Sequence, residues 1–206
     1  MRTAKEADER KHEIMDAAES LFVSKGYDRT TISDILGVTG IARGTLYYHY
    51  KSKEEVLDGI IARRGAANAM AARAIAEDTT LSALEKLFQI MLAQKPGNDQ
   101  EERLVTSLEN AGNAQLFQKS LTEILLCLAP VVGRVIEQGN QEGVFHAPCA
   151  QECAEILLAA SHALFDNRAF RRTPEESGRK ILAFLSVAEQ MLGATGGSLL
   201  QMTQLL

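Results

Sequence analysis

The chain has 206 residues and a formal net charge of −5, with 46% hydrophobic and 24% charged residues. These values are typical of a soluble globular protein with one or two domains. The longest nearly unbroken apolar run, residues 124–132, is too short to span a bilayer, and residues 1–13 contain no apolar signal core. Three cysteines form an odd count, which favours a reducing cytoplasm over a disulfide scaffold. We therefore expect a cytoplasmic protein with no membrane span.

Apolar residues recur at helical spacing along nearly the whole sequence, and no useful segment alternates apolar and polar residues as a strand does. This pattern predicts an all-α fold. A first helix is expected to end near Lys25 and Gly26, a basic residue followed by a helix-stop glycine. Thr31, with Asp34 three residues later, has the pattern of a capped helix N-terminus. The glycines of segment 37–40 keep that second helix short.

The following segments predict a third short helix over residues 42–50 and a long fourth helix that Ser52 caps. Helical patterns then cover residues 81–94, 101–110, 115–141, 149–165 and 174–192. Pro130 is expected to kink or break the helix in which it falls, and residues 193–206 form either a tail or a short extra helix. This organisation predicts a small helix-turn-helix domain over residues 1–55 and a larger helical bundle over residues 56–206.

The segment from Arg43 to Lys53 combines aromatic hydroxyls with positive charge. It holds three of the four tyrosines, and residues 35–53 contain three basic side chains and no acidic one. Residues 1–64 hold eleven basic and eleven acidic residues, so the net charge of −5 lies entirely in the remainder. A basic-faced head on an acidic body is typical of a protein that binds DNA through the head alone.

Two short helices joined by a tight glycine-containing turn form a helix-turn-helix, whose second helix enters the DNA major groove. On the third helix, Leu46 and Tyr50 lie four residues apart and share a face that we expect to pack inward. Gly44 leaves room for a sugar-phosphate backbone, and tyrosine, threonine, histidine and lysine side chains can donate to phosphates or base edges. The alternative interpretation is an aromatic-rich helix that only packs in a core.

The segment 30–57 resembles the DNA-binding domain of the TetR family of bacterial transcriptional regulators, and the resemblance covers about residues 10–60. The matching positions are Thr31, Ile35, Gly40, Gly44, Leu46, Tyr47, His49, Ser52, Lys53, Glu54 and Leu57. Ile41 and Tyr50 are close substitutions for the family's usual residues, whereas Leu36, Thr39 and Ala42 depart from them. Ala42 stands where serine is common and so removes a helix cap, a loss of about 1 kcal/mol that the domain should tolerate.

The resemblance implies a DNA-binding regulator that acts on double-stranded operator DNA, and not an enzyme. It implies that eight residues lie at or near DNA: Thr31, Arg43, Gly44, Thr45, Tyr47, Tyr48, His49 and Lys53. Arg43 and Thr45 are the best candidates for reading bases. The two tyrosines and the histidine are better suited to the DNA backbone. Thr31 and Lys53 begin helices, whose N-terminal ends attract phosphate.

The resemblance also implies a homodimer in which the last two long helices pair with their copies, and an effector pocket inside the bundle. The apolar face of residues 174–192 permits the pairing, although a monomeric core remains the alternative. We expect the pocket to be lined by Phe88, Met91, Phe117, Leu121, Cys127, His162 and Phe165. Each of these is otherwise an ordinary core residue. Few of them are charged, which predicts a small, mostly apolar effector that releases a repressor from its operator.

A metal- or redox-sensing regulator is an alternative, because Cys149 and Cys153 lie close to His146 in the sequence. The two cysteines are four residues apart at a helix start, where a thiolate is favoured. No further ligand completes a familiar zinc spacing, so we expect neither a metal site nor a cofactor. A helical enzyme or binding module without a DNA role is a second alternative. However, no Gly-rich phosphate loop, serine-nucleophile elbow or carboxylate pair stands out.

Overall fold

The computed structural model describes residues 4–94, 102–103, 114–165 and 173–203. Within these ranges every regular element is an α-helix, which confirms the predicted all-α fold. The helices are α1 (Ala4–Lys25), α2 (Ile32–Thr39), α3 (Arg43–His49), α4 (Lys53–Glu77), α5 (Ala83–Ala93), α6 (Ala114–Cys127), α7 (Ala129–Glu142), α8 (Ala150–Phe165), α9 (Pro174–Leu192) and α10 (Ser198–Thr203). Apart from positions 102 and 103, the predicted helix over 101–110 lies outside the described residues. None of the described helices has both the length and the apolar character needed to cross a bilayer.

Contacts among the described residues divide the chain into two units, and the division falls inside α4 and again inside α6. The first unit contains residues 4–64, 102–103 and 114–119. The second contains residues 65–94, 120–165 and 173–203. The assignment of a DNA-binding domain to residues 1–55 and an effector-binding and dimerisation domain to residues 56–206 stays a prediction.

The ends of the helices in the first unit carry the predicted capping groups. Thr31 and Asp34 form a reciprocal capping box at the start of α2. There the Asp34 N–H donates to the Thr31 hydroxyl oxygen at 3.2 Å, and the Thr31 N–H donates to the Asp34 carboxylate at 2.7 Å. At the start of α4 the Glu55 N–H donates to the Ser52 hydroxyl oxygen at 3.2 Å. α1 ends before Gly26, whose φ of 87° is a left-handed conformation that glycine adopts without strain.

One apolar cluster holds the first unit together. Its most deeply buried side chains are Ile14, Ala18 and Phe22 from α1, Ile35 from α2, Leu46 from α3, and Val56 and Ile60 from α4. Arg63 adds two ion pairs to this contact between α4 and α1, at 2.7 Å to Asp16 and 3.0 Å to Glu19. Because the cluster draws on all four helices, the short helices α2 and α3 are held by packing and not by their own length.

α7 has seven buried residues between Ala129 and Gly139. It packs against α8 and α5 and buries Val131, Val132, Val135 and Ile136. Two of its glycines allow close approach of neighbouring groups. A Cβ atom on Gly139 would lie 2.0 Å from the Phe145 ring, and one on Gly133 would lie 2.5 Å from the Gln151 side chain. A larger residue at Gly139 would overpack the contact with the Phe145 ring.

The predicted helix over residues 115–141 is in fact two helices, as Pro130 suggested. α6 ends at Cys127 and α7 begins at Ala129, with Pro130 in its first turn. Proline lacks an N–H, and its ring clashes with the preceding turn, so it is tolerated at a helix start but not inside a helix. The tail forms the short helix α10, which packs against α5 and α9.

Two buried charged residues of the second unit are satisfied by hydrogen bonds. The Lys86 side chain is 4% exposed, and its Nζ donates to the Ala76 carbonyl at 2.7 Å and to Gln138 Oε1 at 2.8 Å. The Glu189 carboxylate accepts hydrogen bonds from the Gly197 and Leu199 N–H groups, each at 2.8 Å. Hydrogen bonding offsets the cost of burying charge, and Glu189 thereby fixes the start of α10.

We predict that Asp34 makes the stability of the first unit depend on pH at the acid end. The Lys25 ammonium, 2.6 Å from the Asp34 carboxylate, and hydrogen bonds from Thr31 lower the pKa of Asp34 from 3.8 to about 2. Because the folded pKa is depressed, this stabilisation is fully present above the unfolded pKa and is lost as pH falls toward the folded value. Asp34→Asn should therefore melt at a lower temperature than the wild type at pH 7.

The melting temperatures of the two proteins are expected to converge as the pH is lowered from about 4 to about 2. Circular dichroism melts at several pH values measure this difference. Ser33→Ala, an exposed position beside Asp34, is the control and should show a difference that does not vary with pH. A constant gap between Asp34→Asn and the wild type at all pH values would contradict the assignment.

Candidate nucleic-acid interface

A turn of three residues joins the second and third helices, and its first residue has a backbone conformation that favours glycine. α2 ends at Thr39, and Gly40 adopts a φ of 65°, in the left-handed region. Its N–H donates to the Leu36 carbonyl at 2.9 Å, which closes the last turn of α2. Ile41 and Ala42 then lead into α3. The result is two short helices separated by a tight turn, which is the geometry of a helix-turn-helix.

α3 has one buried side and one exposed side. Leu46 is 0% exposed and Tyr50, the residue after the end of α3, is 7% exposed, so both pack inward as predicted. On the outer side Tyr48 is 74% exposed, and its ring meets His49 edge-on at 4.9 Å between ring centres. The other predicted contact residues of the helix are Arg43, Gly44 and Tyr47, which are exposed, and Thr45, which is half-buried.

The start of α3 is open. Ala42 occupies the N-cap position and makes no side-chain capping hydrogen bond, which is the predicted consequence of having alanine there. A Cβ atom built on Gly44 would meet nothing within 4 Å. No acidic residue lies in the first turn of α3. Neither a side chain at position 44 nor an acidic residue of the first turn therefore obstructs a polyanion at this end of the helix.

Two of the predicted contact residues already have partners within the first unit. The Thr31 hydroxyl group donates to the Asp34 carboxylate at 2.8 Å. The Lys53 ammonium donates to the Tyr27 carbonyl at 2.8 Å and lies 4.2 Å above the Tyr27 ring. Sequence reasoning did not select Lys51, which comes two residues after the end of α3 and is exposed. Its position in a basic segment without acidic residues could have identified it as a candidate for DNA contact.

Six of the seven predicted effector residues belong to the second unit, and Phe117 belongs to the first. Phe88, Leu121, Cys127, His162 and Phe165 are half-buried, whereas Met91 is exposed. None of these six belongs to the buried cluster of the second unit or to the apolar side chains packed against it. The side chain of Phe117 lies outside the described residues. Phe165 meets Phe184 edge-on at 5.7 Å, so the end of α8 and the middle of α9 form one aromatic contact.

Cys127 and Cys153 lack the surroundings expected of sensing thiols. Burial raises the pKa of the Cys153 thiol, and burial beside Glu123 raises that of the Cys127 thiol. Both shifts disfavour the reactive thiolate, and for Cys153 this is contrary to the expectation from its position near a helix start. In residues 4–94, 102–103, 114–165 and 173–203, no three His, Cys, Asp or Glu side chains are grouped to hold a metal ion. Nothing in this part of the chain supports the metal- or redox-sensing alternative.

An all-helical chain with an outward-facing helix after a tight turn belongs to the helix-turn-helix class of proteins. Residues 14–60 match the family of bacterial regulatory proteins named tetR, and residues 97–187 match the tetracyclin repressor-like C-terminal domain. The chain belongs to the TetR family of transcriptional regulators. Members of this family are DNA-binding regulators and not enzymes.

Several curated relatives align with parts of the chain. The HTH-type transcriptional regulator TtgR of Pseudomonas putida is 38% identical over 60 residues, which are 29% of each chain. The HTH-type transcriptional repressor KstR2 of Mycobacterium tuberculosis is 34% identical over 93 residues, which are 45% of this chain and 46% of the relative. The chain thus aligns with less than half of the length of these relatives.

Solved structures share the fold over most of the chain. SmeT, the repressor of the Stenotrophomonas maltophilia multidrug efflux pump SmeDEF, has a TM-score of 0.66 and 19% identity over 91% of this chain and 92% of SmeT. A SmeT–triclosan complex has a TM-score of 0.64 and 20% identity over 91% and 93% of the two chains. At these identities the likeness establishes the fold and not the ligand.

Proposed function

We propose that the protein is a homodimeric, ligand-responsive repressor that binds operator DNA through α3 and is released by a small, mostly apolar effector. The observation that carries the proposal is the orientation of α3, which buries Leu46 and Tyr50 and exposes Arg43, Gly44 and Tyr48. Family membership supports the DNA-binding part. The cytoplasmic location expected from the sequence agrees with this role and stays a prediction.

The proposed DNA-binding residues lie at or near the duplex in three groups. Arg43 and Thr45 begin α3, and the N-terminal residues of a recognition helix are those that contact base edges. Tyr47, Tyr48 and His49 follow along the same helix and are assigned to the DNA backbone. Thr31 and Lys53 stand at the starts of α2 and α4, and Gly44 lets the backbone approach closely.

The homodimer is supported by the apolar character of the last two long helices. Ile156 of α8 and Ile181, Leu182 and Val187 of α9 are all large apolar side chains that are at least 43% exposed in the single chain. Exposed apolar side chains on two helices of one unit are typical of a surface that pairs with a partner. A two-fold symmetric pair would present two copies of α3 to a pseudo-palindromic operator.

The effector proposal is supported by the half-buried aromatic and apolar side chains of the second unit. Phe88, Leu121, Cys127, His162 and Phe165 stand outside its buried cluster, and Met91 and Phe117 complete the proposed lining. SmeT, which has the same fold, has been solved with triclosan, a precedent for a small ligand. An effector that prefers the form of the dimer unable to bind DNA would lower operator affinity by population shift.

Selection of bound duplexes from a random pool tests DNA binding. We expect an inverted repeat to be enriched, because a two-fold symmetric dimer reads two half-sites. Arg43→Ala should lose about 1–3 kcal/mol of discrimination at one base pair of each half-site. Tyr48→Ala should weaken binding to all sequences alike, with little change in melting temperature because the side chain is 74% exposed.

Tyr50→Ala is the matched contrast, since that ring is 7% exposed and its loss should lower stability by about 3–5 kcal/mol. Failure to enrich any duplex would contradict the proposed function. Unchanged discrimination by Arg43→Ala among operator variants would contradict the base-reading role alone.

A charge on α9 should separate the dimer. We expect Leu182→Glu to weaken dimerisation about a hundredfold, because each interface would lose two buried leucine side chains. Light scattering over a concentration series measures the mass. Gln141→Glu, an exposed position of α7, adds the same charge and should leave the dimer intact. A Leu182→Glu protein with the wild-type mass at all concentrations would refute this interface.

Neutral aromatic compounds are expected to bind the second unit. At a concentration of about 100 Kd, binding contributes about 2.7 kcal/mol and raises the melting temperature by several degrees. The same compound should release the selected operator in a fluorescence anisotropy assay. Phe165→Ala should reduce the thermal shift, while Met70→Ala, an exposed position outside the predicted lining, should not. A panel in which only cationic compounds bind would contradict an apolar effector.

A further inference from the structure

Lys51 lies in the turn between α3 and α4, and Lys53 is the first residue of α4. Their ammonium groups have different surroundings. Lys53 is half-buried, and its Nζ lies 2.8 Å from the Tyr27 carbonyl oxygen and 3.4 Å from that of Asp28. Lys51 is exposed, and its Nζ donates to a single carbonyl, that of Tyr47, at 2.7 Å. The two positive charges are therefore not equivalent, although both lie in the basic segment.

The charge of Lys53 is used inside the first unit. Tyr27 is buried and packs edge-on against Phe22, with ring centres 5.0 Å apart. The Lys53 ammonium also lies 4.2 Å above the Tyr27 ring, within the range of a cation–π contact. To reach a DNA phosphate, Lys53 would have to leave two carbonyl oxygens and this ring. In its present position it holds the start of α4 against the turn that follows α1.

Lys51 is placed to meet DNA at lower cost. It comes two residues after His49, the last residue of α3, and its ammonium lies on the carbonyl of Tyr47, one of the residues proposed to contact the DNA backbone. The Glu55 carboxylate accepts a hydrogen bond from the Lys51 main-chain N–H at 2.5 Å. That contact fixes the backbone at the base of an exposed side chain, which can exchange one carbonyl for a phosphate.

We infer that the two lysines divide the work: Lys51 contacts a DNA phosphate, and Lys53 is a positioning residue that sets the start of α4 relative to the α1–α2 turn. The inference rests on the proposed DNA-binding function. It adds Lys51 to the residues carried over from the family pattern, and it gives Lys53 a role near DNA without a direct contact.

The test compares Lys51→Met and Lys53→Met in the full chain, because methionine keeps an apolar stem and removes the charge. Binding to the selected operator is measured between about 50 and 200 mM salt, well below the melting temperature of each variant. Each lost phosphate contact reduces the slope of log K against log salt by about 0.9. For Lys51→Met we expect a slope shallower by about one for each bound protomer and an unchanged melting temperature.

For Lys53→Met we expect a melting temperature lower by several degrees and a salt slope equal to that of the wild type. Lys51→Arg should keep the slope, since arginine supplies the same charge. Arg134→Met, which removes one exposed charge from α7 in the second unit, should change neither the slope nor the melting temperature. This variant controls for the loss of a positive charge as such.

The division of roles would be overturned by a slope reduced in Lys53→Met or by a slope unchanged in Lys51→Met. An unchanged melting temperature in Lys53→Met would overturn the positioning role. A wild-type protein without salt-sensitive binding to any duplex would instead refute the proposed function, and the role of Lys51 with it. In that case the melting temperature of Lys53→Met still decides whether Lys53 fixes the start of α4.

Discussion

The inward packing of Leu46 and Tyr50 determines what α3 can present. This helix has seven residues and no side-chain N-cap, and helices of that length are unstable in water on their own. Burying two large side chains stabilises the structure by about 1.5–3 kcal/mol each, more than the roughly 1 kcal/mol that a missing cap removes. Since these two residues face the core, helical geometry turns Tyr48 to the opposite side. Arg43 is exposed because it is the first residue of the helix. The side of the helix that stabilises the unit is therefore opposite the side proposed to contact DNA.

The features that sequence predicted well depend on groups within four residues of each other. The capping box of Thr31, the Ser52 cap and the helix break at Pro130 all appear as expected, because the donor, the acceptor or the clash lies within one turn. The difference between Lys51 and Lys53 could not be predicted in this way. The carbonyl that binds Lys53 belongs to Tyr27, 26 residues earlier, and no local pattern relates the two positions.

In the second unit, burial also could not be predicted from local sequence, both for apolar residues and for one lysine. The apolar residues expected to line a pocket could be assigned to helices, yet their exposure depends on neighbours far along the chain. Met91 is exposed, and five others stand half-buried outside the main cluster. Conversely, Lys86 is buried although lysine is mostly exposed, because a carbonyl of α4 and a side chain of α7 accept its hydrogen bonds. Sequence indicates an apolar face; it does not indicate what covers that face.

The sequence therefore says more about the DNA-binding part of the chain than about the helical bundle. TtgR and KstR2 align over 60 and 93 residues at 38% and 34% identity, whereas SmeT keeps the fold over 91% of the chain at 19% identity. A helix-turn-helix must match the fixed dimensions of the major groove, so its anchors and glycines recur at fixed spacing. A helical bundle needs only apolar side chains of suitable total volume and can accept many sequences. DNA binding can be argued residue by residue from the pattern, while the chemistry of the effector depends on side chains particular to this chain.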